Sequence, residues 1–149
     1  MTNAADPEFE SRVRASFARQ QVMKTLGIQI ARIEAGQVEL AMPYDRSFTQ
    51  QHGFLHAGTL ATALDSACGY AAFSLMPPGA AVLSVEFKLN LLAPARAERF
   101  LFRGRVVKAG RTITVCDGQA LAVEAAGEKL LATMTCTLMA VFDREGIRD

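Results

Sequence analysis

The run from residue 57 to residue 76 restricts the fold more than any other part of the chain. It is small or apolar almost throughout and ends at Pro77-Pro78-Gly79. Leu60, Ala61, Leu64, Ala67, Cys68, Ala71, Ala72 and Leu75 recur at a helical period, and the other faces are also small or apolar. The spacing predicts one helix from Ala57 to about Met76, buried nearly all round. Asp65 at its centre and the double proline at its end make the run unsuited to spanning a membrane. A chain with such a helix must supply other structure to enclose it.

The flanking sequence supplies strands. Downstream, four segments of β character are expected, at about Ala81–Leu92, Glu98–Lys108, Arg111–Glu124 and Lys129–Phe142. Turns are expected at Pro94-Ala95-Arg96, Ala109-Gly110 and Ala125-Ala126-Gly127. Asp117-Gly118 reads as a bulge inside a long strand, since a hairpin there leaves very short arms. Upstream, Ile28, Ile30 and Ile33, a turn at Ala35-Gly36, and alternating Val38, Leu40 and Met42 predict a β-hairpin. Residues 44–56 lack periodicity and read as a loop. Phe9, Val13, Phe17 and Val22 recur among charges from Pro7 to about Met23. They predict an amphipathic surface helix, capped by Asp6, started by Pro7 and closed by Gly27. Residues 1–6 are expected to fray. The expected architecture is α+β, a long central helix wrapped by an antiparallel sheet. It forms a single domain over 1–149, with 1–26 as its N-terminal helical segment.

Composition narrows the function. Of 149 residues, 50% are hydrophobic, enough for a core and too many for a disordered chain. Lys and Arg number 16 against 15 Asp and Glu, a balance that disfavours a nucleic-acid partner. No basic start leads into an apolar stretch, so no secretory signal is expected and no membrane partner. Cys68, Cys116 and Cys136 are odd in number and set among apolar residues, which fits reduced thiols in the cytoplasm. With two histidines and no Cys-x-x-Cys, no metal is expected.

Two features carry chemistry. Asp65 is the only formal charge between Arg46 and Glu86. A carboxylate in an apolar helix needs partners. It is either a hydrogen-bonded structural residue, including one at a wet seam between subunits, or a general base or nucleophile in a pocket. The second feature is Gln50-Gln51-His52-Gly53-Phe54-Leu55-His56-Ala57-Gly58, which leads straight into the helix. A helix N-terminus offers unpaired N–H groups and positive dipole to a developing oxyanion. Small Ala57 and Gly58 admit a carbonyl, and Gln50 can add a side-chain donor. The plainer alternative is that His56 only caps the helix and Gln50 is a solvated loop residue. Asp65 lies eight residues beyond Ala57, about 12 Å along the axis. One chain cannot easily join them in one site, whereas two such helices packed antiparallel in a homodimer can.

The pattern Gln50-x-x-Gly53-x-x-His56-Ala57-Gly58 followed by Asp65 resembles that of hotdog-fold acyl-CoA thioesterases of the PaaI-like, phenylacetate-degradation branch. Val85 to Ala95 resembles the third strand of that family with its following loop, and Val107-Lys108-Ala109-Gly110-Arg111 its next strand turn. The string from Gln51 through Ala72 is most similar to bacterial thioesterases acting on medium- and long-chain acyl-CoA. The resemblance implies a hotdog fold and hydrolysis of acyl-CoA to free acid and CoA, without metal or redox cofactor. It implies a homodimer with shared sites, or a dimer of dimers. Asp65 then activates water or attacks the thioester carbonyl. Gln50 and the Ala57 N–H polarise that carbonyl from the other subunit, and His56 holds Gln50 and the loop. Ser84 stands where some members carry a hydroxyl that orients the water. Gly58 contacts substrate, and Lys108 and Arg111 are candidate contacts to the nucleotide phosphates of CoA. Arg96, Arg99, Arg103 and Arg105 read as a solvated outer sheet face. Met76, Leu83, Phe54 and Phe87 are candidates for an acyl tunnel or for ordinary core. Where the family has Gly-Gly after the histidine, this chain has Ala57-Gly58, which keeps the N–H. The alternatives are a hotdog hydratase or dehydratase, whose paired His and acid this chain lacks, and a non-catalytic acyl-CoA binding module, for which Asp65 has little use.

Overall fold

The computed structural model describes residues 4–149. Its elements are α1 (Phe9–Arg19), α2 (Gln21–Leu26), β1 (Gln29–Glu34), β2 (Gln37–Pro43), a 3-10 turn (Arg46–Phe48), α3 (Ala57–Phe73), β3 (Ala81–Leu91), β4 (Arg99–Ala109), β5 (Ile113–Glu124) and β6 (Gly127–Val141). The strands form one antiparallel sheet in the order β1-β2-β4-β5-β6-β3. The sheet curls around α3, which packs against β2, β3, β4, β5 and β6. This is the hotdog architecture expected from the sequence.

Alternation along the strands puts one set of side chains on the helix. Val38, Leu40 and Met42 of β2 stand opposite Gly104, Phe102 and Phe100 of β4 and are buried with them. Each buried Leu, Phe or Met contributes about 1.5–3 kcal/mol. At the centre the sheet carries no side chains at all. Gly104 of β4 pairs with Gly118 of β5, and both face α3. A Cβ on Gly104 would lie 2.3 Å from the Ala67 backbone, and one on Gly118 would lie 3.0 Å from Cys68 Sγ. The glycine pair lets the helix settle onto the backbone of the sheet. The bulge expected at Asp117-Gly118 is therefore overturned, because β5 runs through that point in unbroken register with β4. The bulges lie at Ile30/Arg32, Ser84/Glu86, Val106/Lys108 and Ala120/Leu121.

The N-terminal helix departs from expectation in two ways. It breaks at Gln20, whose extended ψ of 101° separates α1 from α2. The break rephases the apolar face, so Val22 is exposed and Met23 is buried. Gly27 closes α2 in the left-handed conformation, as glycine does at helix ends. The expected fraying falls partly on residues 1–3, outside the described residues, and fails at Asp6, which is buried. The Asp6 carboxylate accepts from Glu8 N at 2.9 Å and from Arg12 Nε at 2.8 Å. Those hydrogen bonds hold it below the usual carboxylate range. Arg12 in turn donates to the Met76 carbonyl at 2.7 Å and stacks on Phe73 at 4.3 Å, fastening α1 to the C-terminal end of α3.

Candidate active site

The loop before α3 is tied down by its own backbone. Gln50 N donates to Phe54 O, Leu55 N to Ala95 O and His56 N to Phe48 O. Gly53 turns with φ of 82°, and Tyr44 Oη donates to its carbonyl at 2.8 Å. His56 is the N-cap of α3. Its Nδ1 accepts from Gly58 N at 2.8 Å, and its carbonyl accepts from Thr59 N and Leu60 N. The imidazole hydrogen bond thus goes to Gly58 rather than to Gln50. A Cβ at Gly58 would come within 3.1 Å of that Nδ1, so this cap favours glycine there.

The capping leaves the Ala57 N–H without a partner among the described residues. Ala57 sits in ordinary helical backbone, with no positive φ, which alanine adopts without strain. The Gln50 side chain accepts from His52 N through Oε1, which leaves the amide NH₂ as its donor end. Gln50, Ala57, Phe54 and Leu60 line a cleft of ≈ 410 Å³ closed by Leu91 to Ala95. Two donors therefore border one cleft at the positive end of a helix.

Asp65 lies two turns along α3 and faces β3 and β6. Ser84 Oγ donates to its Oδ1 at 2.6 Å, and Cys136 Sγ approaches the same oxygen at 3.8 Å. The Ser84 contact is one that sequence reasoning placed on a water instead. Asp65 and Ser84 line a second cavity of ≈ 160 Å³ with Ser16, Gln20, Ser66, Gly69, Tyr70, Val82 and Asp149. Burial is what chiefly raises the Tyr70 hydroxyl above its usual pKa. Asp149 is held by Ser16 Oγ at 2.6 Å and by Arg19 at 3.7 Å. None of the residues lining one cavity lines the other. Between the two stands β3, an edge strand. Phe87 and Leu91 point to the helix side yet are 44% and 54% exposed.

Lys108 and Arg111 are exposed on the β4–β5 hairpin. That hairpin is next to Gly36, which donates to Ser74 at the far end of α3, so neither is near the Ala57 of its own chain. On the outer sheet face Arg103 is half-buried between Glu39 and Glu128 rather than simply solvated, and Arg96 lies off the sheet, in the loop before β4, over the Phe54 ring at 5.7 Å. Met76 is core, and Leu83 pairs with Met139 on the outer face, away from α3. All three cysteines are free and buried. No helix among the described residues is long and apolar enough to cross a membrane.

Comparison with known proteins bears on this geometry. The thioesterase superfamily model matches residues 52–126. A thioesterase family protein from Silicibacter pomeroyi is 61% identical, with a TM-score of 0.88 over 90% of this chain and 98% of its own. The PaaI protein of the Escherichia coli phenylacetic acid degradation operon shares the fold at 21% identity, with a TM-score of 0.80 over 90% and 94% of the two chains. A 1,4-dihydroxy-2-naphthoyl-CoA hydrolase of Listeria monocytogenes is 24% identical over 78% of this chain and 93% of its own. The chain belongs to the thioesterase superfamily, as a hotdog-fold, PaaI-like thioester hydrolase.

Proposed function

We propose that this thioester hydrolase acts on acyl-CoA, releasing free acid and CoA, in a homodimer whose sites are shared between chains. The observation that carries the reading is the division of the machinery. The donors Gln50 and Ala57 line one cleft and the carboxylate of Asp65 another, with the uncovered edge of β3 between them. Antiparallel packing of two such chains along that edge brings each Asp65 towards the other chain's Ala57.

In the assembled site the thioester oxygen accepts from the Ala57 N–H and the Gln50 amide, while His56 and Gly58 fix the helix start. Asp65 takes a proton as water oxygen bonds to the carbonyl carbon, and the carbonyl electron pair moves onto the held oxygen. Collapse breaks the C–S bond, and the proton passes from Asp65 to the departing sulfur. In the nucleophilic variant an Asp65 oxygen bonds to that carbon and the C–S bond breaks, expelling CoA thiolate. Water then opens the mixed anhydride to free acid and the Asp65 carboxylate, and the released proton goes to the thiolate. Neither route uses a metal or redox cofactor. Ser84 steadies Asp65 in both, Lys108 and Arg111 meet the nucleotide phosphates, and the whole of 1–149 acts as one domain.

Asp65→Asn is expected to keep the fold and lower kcat by roughly 10²-fold or more in a thiol-trapping assay over an acyl-CoA panel. Near wild-type turnover would remove Asp65 from the reaction. Gln50→Ala and Asp65→Ala proteins, unfolded together and refolded in equal amounts, test the sharing. Half the dimers are then mixed and each has one intact site, so about a quarter of wild-type activity returns under two-fold symmetry. A site built from one chain recovers nothing on mixing.

A further inference from the structure

Asp65 receives two donors on one oxygen, from two neighbouring strands. Ser84 Oγ of β3 reaches Oδ1 at 2.6 Å, and Cys136 Sγ of β6 reaches it at 3.8 Å. Both face α3, Ser84 across from Leu138 and Cys136 across from Phe87. Oδ2 has no protein donor among the described residues and is not among the buried unpartnered atoms. The two carboxylate oxygens are therefore distinguished by the sheet.

Cys136 is fully buried, and such a thiol ordinarily acts as a small apolar side chain with a weak S–H donor. Here its surroundings direct that donor. The thiol of Cys68, one turn after Asp65, is kept well above its usual pKa by the neighbouring Cys136 thiol and by burial. Cys116 of β5, also pushed up to about 12, chiefly by burial, is the cross-strand neighbour of Cys136. Both neighbours are thus neutral thiols, which leaves the Asp65 carboxylate as the charged acceptor in reach.

We infer that Cys136, together with Ser84, is a positioning residue for Asp65: the two donors hold Oδ1 so that Oδ2 is the oxygen presented to water or to the thioester carbonyl. The inference rests on Asp65 being the reacting carboxylate, as proposed above. The remaining titratable groups around Asp65 are Tyr70 on its own helix and Asp149 across the cavity, the latter already paired with Ser16 and Arg19.

The test is the pH dependence of kcat and kcat/KM on the acyl-CoA that the wild type turns over fastest. A donor to the charged form lowers a carboxylate's pKa, so removing one raises it. Cys136→Ala is expected to lower kcat about 3- to 10-fold with KM unchanged, and to move the acid limb up by about half a pH unit to one unit. Cys136→Ser, which restores a donor, is expected to return both towards wild type. Ser84→Ala is expected to move the limb further, its bond being the shorter. A thiol that only fills space lowers the melting temperature and leaves the limb in place. Coincident acid limbs in wild type, Cys136→Ala and Cys136→Ser overturn the inference. Should Cys136→Ala not fold, Cys136→Ser in a Ser84→Ala background decides it: the limb must fall back from its Ser84→Ala position, and an unmoved limb overturns the inference. Asp65→Asn separates this from the wider reading. If it stays active, the assignment of Asp65 itself fails. If it is dead while the Cys136 variants are silent in pH, only the positioning role fails.

Discussion

The two ends of α3 are built on opposite terms. From Ala63 to Phe73 every residue but Asp65 is buried, the helix rests on the bare backbone of Gly104, and Arg12 clasps the carbonyl of Met76 just beyond its end. From Ala57 to Thr62 only Leu60 is buried, and the first N–H is left without a partner. The tight half fixes the axis of the helix. The open half can then keep a bare donor at the mouth of a cleft without collapsing onto it. A site needs its groups held to a fraction of an ångström, and a rigid element holds them better than a loop. Asp65 stands where the two regimes meet, partly buried and held by strands on one side only.

The largest effect should come from breaking the tight half. Gly104→Val forces side-chain atoms into the Ala67 backbone, which cannot retreat without lifting α3 from the sheet. Far-UV circular dichroism of the purified chain should show no native fold. The contrast within the same layer is Gly69, on α3 itself, where an added Cβ meets nothing within 4 Å. Gly69→Ala should leave the melting temperature unchanged or raise it, since alanine is about 1 kcal/mol the better helix former. Similar losses at both positions would show that close seating on the sheet backbone is not what makes Gly104 sensitive.

The open end can be altered by one atom pair. Proline is welcome at the first position of a helix, where its missing N–H has no intrahelical partner. The residue before it must be extended, and His56 has φ −61° and ψ 142°. Ala57→Pro should therefore leave the helix intact while deleting the proposed oxyanion donor. The expected loss is about 10²- to 10³-fold in kcat, the scale for one such donor. It should come with an unchanged circular dichroism spectrum and a melting temperature within a few degrees of wild type. Ala57→Gly keeps the N–H and should keep the activity. A fully active proline variant would move the oxyanion contact elsewhere.

What the sequence disclosed follows the same division. Periodic apolar spacing exposed α3 and the β1–β2 hairpin, and the polar loop with Ala57-Gly58 and the lone Asp65 exposed the candidate site. Local pattern carries such signals. The position of β3 at the sheet edge did not show, because strand order is set by long-range pairing. Nor did the seat of the helix: Gly118 next to Asp117 has the look of a turn or bulge, and only the helix above it reveals why a side chain is missing. Nothing local marks Arg12 as the residue that clasps the Met76 carbonyl, because its partner lies far along the chain. Gln20, with neither proline nor glycine nearby, gave no notice of the helix break. Cys136, alternating with threonines along β6, reads as core until the carboxylate across from it is seen.

The smallest expected effect concerns the far end of α3. Lys108 and Arg111 stand beyond it, about 25 Å from the Ala57 of their own chain at the helical rise. Antiparallel pairing that sets Asp65 at the other chain's Ala57 leaves that end about 13 Å beyond the other chain's helix start. Their charges then meet the phosphates of a CoA whose thioester is polarised by the second subunit. Exposed ion pairs are worth at most about 1 kcal/mol, so each of Lys108→Ala and Arg111→Ala should raise KM for acyl-CoA by no more than about 5-fold. kcat should hold, because a phosphate contact binds substrate and transition state alike. The rise should shrink as salt is added, since screening already weakens the wild-type contact. Acyl-pantetheine, which carries the thioester without the nucleotide, should be turned over equally by variants and wild type. Equal losses on both substrates would place these residues outside nucleotide recognition. A loss confined to acyl-CoA would mean that the ordered, distant end of one helix serves the open end of the other.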